Sequence, residues 1–394
     1  MKRLMLAALA IALAGPSAAN DDVKIGIILG FTGPIESLTP DMAAGAELAI
    51  SEVNEAGGLL GGHTVAAVRG DSTCIDNAAA SAAAERLITA DGVSAIMGAD
   101  CSGVTGAILQ NVARPNGVVM ISPSATSPAL TTAEDDGLFF RTSPSDARQG
   151  EVMANVISER GIGEVAISYV NADYGKGLAD SFQSAFEAIG GKVTLSSPHE
   201  DGKADYSAEV GALASAGGEA LVVAGYADSG GKGIIQASLD TGAFDVFVLP
   251  DGMVADSLLE AFGTALDGSF GQVPGSDNPG AAALMPMLEA IDVNPSAPFV
   301  AESYDAAALL MLAVEAAGSS DSQAIKDNVI AVANAPGEAI LPGQLGMAIE
   351  ILAGGGEVDY QGGTGVELIG PGEAAGSYRL FEIQEGQFST LGYR

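Results

Sequence analysis

Cysteine, histidine, tryptophan and basic residues are all scarce in this 394-residue chain, which has two cysteines, two histidines and no tryptophan. Neither His63 nor His199 stands at ligand spacing from a cysteine, so no metal site is predicted. The same scarcity leaves no obvious Ser-His-Asp set for catalysis. Only 16 lysines and arginines oppose 50 acidic residues, and the formal net charge of −34 argues against binding to nucleic acid or to an anionic membrane.

The first residues have the layout of a secretory signal peptide. A basic start precedes an apolar run from Leu4 to Ala14, and small residues follow up to Ala19. An N-terminal membrane anchor is the alternative, but this run is too short to span a bilayer. We therefore predict a signal peptide over residues 1–19 and an exported, soluble mature protein.

The predicted export determines how the two cysteines are interpreted. In an oxidising compartment Cys74 and Cys101 favour one disulfide, which closes a loop of about 27 residues. Two buried free thiols, or a metal pair, are the alternatives. The chain-entropy argument assigns such a loop about 3–4 kcal/mol of stabilisation.

Short apolar runs alternate with helical patterns along the chain, which predicts parallel sheets covered by helices. The rhythm restarts after the irregular stretch FFRTSP at 139–144. Two such series, in a chain too long for a single core, predict two α/β lobes. The predicted strands of the two series lie at 23–29, 64–70, 93–99 and 117–123, and then at 165–170, 192–197, 220–226 and 244–250.

Two stretches resemble enzyme motifs, but their position, spacing or residue types do not fit those motifs. The glycines of GIGEVA, 161–166, precede a strand, whereas a dinucleotide-binding turn must follow one. In GYADSGGKG, 225–233, the spacing is off by one and Gly233 replaces the Ser or Thr of a phosphate loop. Acid–base chemistry by a carboxylate pair stays open, but a secreted enzyme is disfavoured.

Polar side chains follow the predicted strands at their carboxyl ends, where open α/β sheets bind ligands. Hydroxyls and helix N-termini in the first series suit a carboxylate, whereas tyrosines and a carboxylate in the second suit an ammonium. Together they match the two charges of an α-amino acid, although each serine or threonine alone also suits a helix cap. The residues concerned are Ser102, Ser124 and Thr126 in the first series, and Tyr174, Tyr226 and Asp251 in the second.

At these positions the chain resembles the leucine/isoleucine/valine-binding branch of type I periplasmic binding proteins, which serve ATP-driven importers. The stretches that carry the resemblance are KIGIILGFTGP, GAELAISEVNEAGG, DSTCIDN, GADCSGVT, ISPSATSPALT, NADYGKGLADSF, AGYADSG and LPDGMV. They occur in order and, with the β-α pattern, cover nearly the whole mature chain.

The resemblance implies two doubly wound lobes joined by three crossovers, with the ligand in a cleft between them. We expect lobe 1 to comprise 20–142 and 274–357, and lobe 2 to comprise 143–273 and 358–394. It also implies a periplasmic, monomeric, non-enzymatic protein without cofactor that delivers a small amino acid to the membrane permease subunits of an importer.

Site roles follow from the resemblance by position. Ser102, Ser124 and Thr126 would hold the ligand carboxylate, and the Cys74–Cys101 disulfide would pin the loop that carries Ser102. The ammonium would face Tyr174, Tyr226 and Asp251, while Phe299 and Tyr304 would lie near the cleft.

At two positions this chain differs from its relatives in a way that affects which ligand it can bind. Asp251 stands where close relatives carry glutamate, and Leu38 stands in the side-chain pocket where an aromatic residue is common. The same fold binding another small metabolite, such as an aromatic acid, an amide or a urea-like compound, is therefore the alternative. A ligand-sensing ectodomain is a further one, disfavoured because no transmembrane helix follows.

Overall fold

The structure is a computed structural model that describes residues 22–394. The signal peptide predicted over 1–19 lies outside the described residues. None of the helices within 22–394 combines the length and the apolar character that a membrane span requires.

The strands follow the short apolar runs of the sequence. The described residues form β1 Val23–Leu29, β2 Val65–Asp71, β3 Ala95–Gly98, β4 Met120–Ser122, β5 Phe139–Arg141, β6 Glu164–Val170, β7 Lys192–His199, β8 Ala220–Ala224, β9 Phe247–Leu249, β10 Phe270–Pro274, β11 Glu338–Ile340, β12 Val358–Tyr360, β13 Leu368–Ile369, β14 Glu373–Ala374, β15 Tyr378–Gln384 and β16 Gln387–Tyr393.

Helices occupy most of the segments between these strands. They are α1 Thr39–Glu55, α2 Asn77–Thr89, α3 Ser102–Ile108, α4 Arg114–Asn116, α5 Pro128–Thr131, α6 Asp146–Glu159, α7 Asp173–Ala188, α8 Ser207–Ala216, α9 Gly230–Thr241, α10 Asp256–Phe262, α11 Pro279–Glu289, α12 Val300–Ala317, α13 Ser322–Lys326, α14 Val329–Ala333 and α15 Leu345–Ala353. A π-helix, Leu109–Ala113, joins α3 to α4, and 3-10 turns span Asp251–Met253 and Gly263–Leu266.

Two seven-stranded sheets organise the molecule. One has the order β13-β14-β5-β4-β3-β1-β2, and the other has the order β16-β15-β10-β9-β8-β6-β7. Strands pair in parallel except at β13–β14, β10–β15 and β15–β16. The predicted class, two doubly wound α/β lobes, is confirmed.

Both sheets reverse their winding at the strand next to one edge. In the first sheet β1 lies between β2 and β3, and in the second β6 lies between β7 and β8. Ligands of open α/β sheets bind outside the carboxyl ends of the strands at such a switch point. The loops after β1, β3, β6 and β8 are therefore placed to form a binding site.

The chain passes between the two sheets three times. The strands that flank the passages are β5 and β6, β10 and β13, and β14 and β15. The expected boundary at residue 358 is wrong, because β13 and β14 pair within the first sheet and the last passage falls at 375–377. β13 and β14 have two residues each, which is too few to show the alternation of apolar and polar residues that predicts a strand.

Helix α12 is the buried centre of the first lobe. It is apolar on every face, and 15 of its 18 residues are buried. Its buried carboxylate, Asp305, accepts hydrogen bonds from the Tyr360 hydroxyl, the Gly363 N–H and both the N–H and hydroxyl of Thr364. A buried charge with four donors fixes the helix against the segment that leads to the last crossover.

The predicted disulfide is confirmed: Cys74 and Cys101 are bonded, with their Cα atoms 5.1 Å apart. Cys74 follows β2 and Cys101 precedes α3, so the bond links two neighbouring loops at the carboxyl end of the first sheet. Thr73 and Cys74 both have positive φ angles, a conformation that non-glycine residues adopt at a cost. The cross-link thus holds an unfavourable turn beside the residues that begin α3.

Replacing both cysteines by serine should lower the free energy of unfolding by about 3–4 kcal/mol. The reason is that the unfolded chain then regains the freedom of a 27-residue loop. Urea denaturation of the native protein and of the double variant measures the difference. In the control, alkylation should label both cysteines only after reduction, and labelling before reduction would contradict the disulfide.

Candidate ligand-binding cleft

The loops at the facing carboxyl ends of the two sheets enclose a space of about 360 Å³, which we call the cleft. The sequence had already singled out seven of the residues that line it: Leu38, Ser102, Ser124 and Phe299 from the first lobe, and Tyr174, Tyr226 and Asp251 from the second.

Two hydroxyls of the first lobe lie at the cleft, and each is already hydrogen-bonded to a backbone group. The Ser102 hydroxyl accepts a hydrogen bond from the Ser127 N–H at 3.1 Å. The Ser124 hydroxyl donates to the Asp100 carbonyl at 3.1 Å. Ser102 keeps its own proton to donate, and it opens the continuous helical segment 102–116, whose first N–H groups have no partner within the helix.

Thr126 differs from these two serines. It is 1% exposed and does not line the cleft itself. Its hydroxyl lies beside the Asp146 carboxyl and favours the ionised form of that group, although among the described residues the Oγ1 atom makes no hydrogen bond of regular geometry.

Tyr304, which we expected near the cleft, lies elsewhere. It is fully buried on α12, and its hydroxyl donates to the carboxylate of Glu52 on α1, inside the first lobe. Phe299 directly precedes α12 and lies at the cleft, whereas Tyr304 lies inside the helix and faces α1.

Asp100 ties the strand ends of the first lobe together. It is fully buried, and its carboxylate accepts hydrogen bonds from the Gly30 N–H at 2.5 Å, the Ser72 hydroxyl at 2.9 Å and the Cys101 N–H at 2.9 Å. Burial raises the pKa of Asp100, and these three donors oppose that rise. Asp100 therefore fixes the approach to Ser102 from three loops at once.

A buried arginine supports the loop that carries Thr126. The Arg141 guanidinium donates to the carbonyls of Ala125 and Ser127, at 2.9 and 3.0 Å, and pairs with Glu373 at 2.5 Å. Arg141 is 1% exposed, so these bonds are shielded from water. They hold the residues on both sides of Thr126 in place.

The second lobe contributes aromatic rings and one carboxylate. The rings of Tyr174 and Tyr226 stack with their centroids 5.3 Å apart. Oδ1 of Asp251 accepts hydrogen bonds from the Tyr174 hydroxyl at 2.6 Å and the Gly252 N–H at 2.9 Å. Burial raises the pKa of Asp251, whereas these donors favour the ionised form.

Burial, followed by the charge of Asp251, holds the pKa of Tyr174 well above its usual range. The phenol therefore stays protonated and acts as a donor. A carboxylate anchored beside two aromatic rings is the arrangement that receives an ammonium group.

Apolar side chains complete the cleft. Ile35, Leu38 and Met42 come from the loop after β1 and the first turn of α1, and Phe299 directly precedes α12. All four are at most 7% exposed. They form an apolar wall that suits an aliphatic side chain.

Sequence reasoning missed several residues of the site. Ile35 and Met42 carried no signal beyond their apolar character. Asp146 and Gln149 carried a better one, because they follow the end of β5, the kind of position that identified the other site residues. The irregular stretch at 139–144 separates the two β-α series, and the strand-end rule was not applied to the residues that follow it.

The two lobes touch at the mouth of the cleft. Asp228 of the second lobe accepts a hydrogen bond from the Ser37 N–H at 3.0 Å, and its own N–H donates to the Pro34 carbonyl at 3.2 Å. Deeper in, the Asp146 N–H donates to the Thr126 carbonyl at 2.8 Å. The structure is thus a closed form, in which Asp251 is only 1% exposed.

Comparison with known proteins agrees with this architecture. Residues 22–344 match the family model described as periplasmic binding protein. The chain belongs to the periplasmic binding protein family. Within 22–394, no cluster of histidine, cysteine or acidic residues is arranged to hold a metal ion.

Individual relatives show which members of the family this chain is similar to. The chain is 34% identical to Leu/Ile/Val-binding protein homolog 1 of Brucella suis, over 81% of this chain and 85% of the relative. It is 31% identical to the leucine-, isoleucine-, valine-, threonine- and alanine-binding protein of Pseudomonas aeruginosa, over 82% and 86%. The crystal structure of a leucine-binding protein, LivK, of Thermotoga maritima superposes with a TM-score of 0.78 at 25% identity, covering 94% of this chain and 98% of that one.

In this periplasmic binding protein, Arg141→Met should lower the free energy of unfolding by about 3–5 kcal/mol. The substitution keeps an apolar stem but leaves Glu373 and two buried carbonyls without their donor. Chemical denaturation measures the loss. Arg148→Met, at an arginine 47% exposed, is the matched control and should change stability by less than about 0.5 kcal/mol. Equal effects of the two substitutions would contradict a supporting role for Arg141.

Proposed function

We propose that this protein captures a small aliphatic amino acid in the periplasm and delivers it to the membrane permease subunits of an ABC importer. It acts as a monomeric binding protein and not as an enzyme, after removal of the signal peptide at 1–19. The observation that carries the proposal is the division of the cleft into two polar ends, one built from each lobe.

The first-lobe end suits the ligand carboxylate. The Ser102 hydroxyl, the Thr126 hydroxyl and the N–H groups that open the helical segment 102–116 are all donors. Ser124 lies beside them and fixes the Asp100 carbonyl. Donors that converge from a loop and a helix start favour an anionic group.

The second-lobe end suits the ligand ammonium. Asp251 supplies the negative charge, and the stacked rings of Tyr174 and Tyr226 supply aromatic surface. A ligand without an ammonium would leave the buried Asp251 charge without an opposite charge, which costs free energy. This cost favours an amino acid over an aromatic or other simple carboxylic acid.

The wall of Ile35, Leu38, Met42 and Phe299 favours an apolar ligand side chain. Relatives named for leucine, isoleucine and valine binding support this class of ligand. Leu38 is smaller than an aromatic residue, so it leaves more room at this wall. We therefore expect aliphatic amino acids of different sizes to bind.

Asp251→Asn should weaken binding of leucine about tenfold or more, because the ammonium loses a charged hydrogen-bond acceptor. Binding of 4-methylpentanoate, the des-amino analogue of leucine, should change much less. Calorimetric titration of ligand-stripped protein, with valine and alanine alongside leucine, measures both.

Asp173→Asn is the matched control, since Asp173 is an exposed aspartate next to Tyr174 and should leave both affinities unchanged. Equal losses for leucine and its analogue in Asp251→Asn would overturn the amino-acid proposal. Tighter binding of 4-methylpentanoate than of leucine by the native protein would do the same and favour a carboxylic-acid ligand.

Thr126→Val should weaken leucine binding about tenfold or more without lowering stability. Among the described residues the hydroxyl makes no hydrogen bond of regular geometry, and its polar neighbour is the Asp146 carboxyl, so its removal leaves no backbone group unsatisfied. Ser102→Ala is the contrasting variant, because it also leaves the Ser127 N–H without its acceptor and should lower the melting temperature. Unchanged leucine affinity in folded Thr126→Val would remove Thr126 from the site.

A further inference from the structure

A carboxylate outside the cleft holds a loop that forms part of the apolar wall. Asp228 follows β8 in the second lobe, two residues after Tyr226, and it does not line the cleft itself. Its hydrogen bonds across the lobes reach residues 33–38 of the first lobe, which we call the wall turn. Asp228 is therefore placed to act on the cleft through this turn.

The wall turn has few hydrogen bonds of its own. Inside it, the Glu36 N–H donates to the Gly33 carbonyl at 3.3 Å, and the Leu38 N–H donates to the Ile35 carbonyl at 3.0 Å. Across the described residues, the hydrogen bonds that join 33–37 to any residue outside the turn all go to Asp228. The bonds that fix this segment from outside therefore come from the opposite lobe.

The two backbone groups that Asp228 holds are next to the cleft residues of the turn. Oδ2 of Asp228 accepts a hydrogen bond from the Ser37 N–H at 3.0 Å, and the Asp228 N–H donates to the Pro34 carbonyl at 3.2 Å. Pro34 directly precedes Ile35 and Ser37 directly precedes Leu38, and both of these apolar side chains line the cleft. The position of the apolar wall thus depends on bonds made by the second lobe.

Asp228 is itself fixed within its own lobe. Its other oxygen, Oδ1, accepts a hydrogen bond at 2.6 Å from the hydroxyl of Ser257, in the first turn of α10. Hydrogen bonds to an ionised carboxylate are stronger than those between neutral groups. The wall turn therefore meets a strong acceptor in a defined position when the lobes close.

The polar contact lies near the surface, although the side chains beside it are buried. Asp228 is only half-buried and Ser37 is exposed, whereas Ile35 and Leu38 are 6% and 7% exposed. Water can replace the carboxylate at the Ser37 N–H, so removal of the contact leaves no buried group unsatisfied. We therefore expect variants at Asp228 to fold.

We propose that Asp228 is a positioning residue that sets the apolar wall against the ligand side chain, and that it thereby determines how strongly long aliphatic side chains are preferred to short ones. When the lobes close, Asp228 clamps the wall turn from the second lobe and holds Ile35 and Leu38 against the ligand. The inference rests on the proposed amino-acid ligand.

The clamp affects ligands according to the reach of their side chains. The side chain of leucine buries more apolar area on the wall than the methyl group of alanine, and selectivity is the difference between the two binding free energies. Loss of the clamp weakens closure for both ligands, but it removes wall contacts mainly from leucine. The ratio of the two affinities therefore reports the position of the wall and not closure alone.

Asp228→Ala should lower the ratio of leucine affinity to alanine affinity about threefold or more. Asp228→Asn should restore most of the ratio, because its amide oxygen still accepts the Ser37 N–H. Calorimetric titration of ligand-stripped protein measures both affinities. The melting temperature of each ligand-free variant, expected to match that of the native protein, shows that it is folded.

Asp245→Ala is the matched control. Asp245 is an exposed aspartate of the same lobe, just before β9, and its removal changes the net charge by the same amount. An unchanged ratio in Asp228→Ala, even with both affinities reduced, would overturn the proposal and leave the proposed function intact. An equal fall of the ratio in Asp245→Ala would overturn it too, and no binding of either amino acid by the native protein would overturn both.

Hydrogen exchange gives a second test that does not depend on the two affinities. Saturating leucine should slow exchange of the Ser37 amide in the native protein, because this N–H is bonded to Asp228 in the closed form. Mass spectrometry of peptides that cover the wall turn should show less slowing in Asp228→Ala. Equal slowing in the two proteins would contradict a clamp by Asp228.

Discussion

A ligand held between these two lobes has to replace water at the polar ends of two separate sheets. When the lobes meet through Asp228 and the 34–37 loop, the groups inside lose their solvent. Hydroxyls on one side and Asp251 on the other then need partners of opposite character. A molecule with a carboxylate and an ammonium would satisfy both ends in the closed form, as we propose. Closure is favoured by the ligand to the extent that the ligand binds this form better.

The surroundings of the cleft are built to keep these groups in place. Asp100 joins three loops of the first lobe, and Arg141 holds the carbonyls on both sides of Thr126. The disulfide adds a covalent link beside Ser102. Such supports reduce the rearrangement needed when a ligand enters, and reduced rearrangement improves affinity.

Much of this arrangement could be predicted from the sequence because it depends on local patterns. Buried strands are short apolar runs, and parallel topology sends their carboxyl ends to one edge, so Ser102, Tyr226 and Asp251 could be placed together. Tyr304 could not, because its direction depends on the rotation of α12 against α1. The last crossover was misplaced because β13 and β14 are too short to show a period.

Asp146 was missed for a different reason. It follows a strand end like the other site residues, but the connection between the lobes masked that position. Its complete burial and its position beside Thr126 result from three-dimensional packing, which the sequence alone does not show.

The central claim is that each lobe holds one charge of the ligand. A crystal structure of the ligand-stripped protein reloaded with leucine tests it most directly. The account predicts the leucine carboxylate within hydrogen-bond distance of the Ser102 and Thr126 hydroxyls and the ammonium at Asp251. A ligand in the opposite orientation, or one whose two charged groups both contact the same lobe, would contradict it.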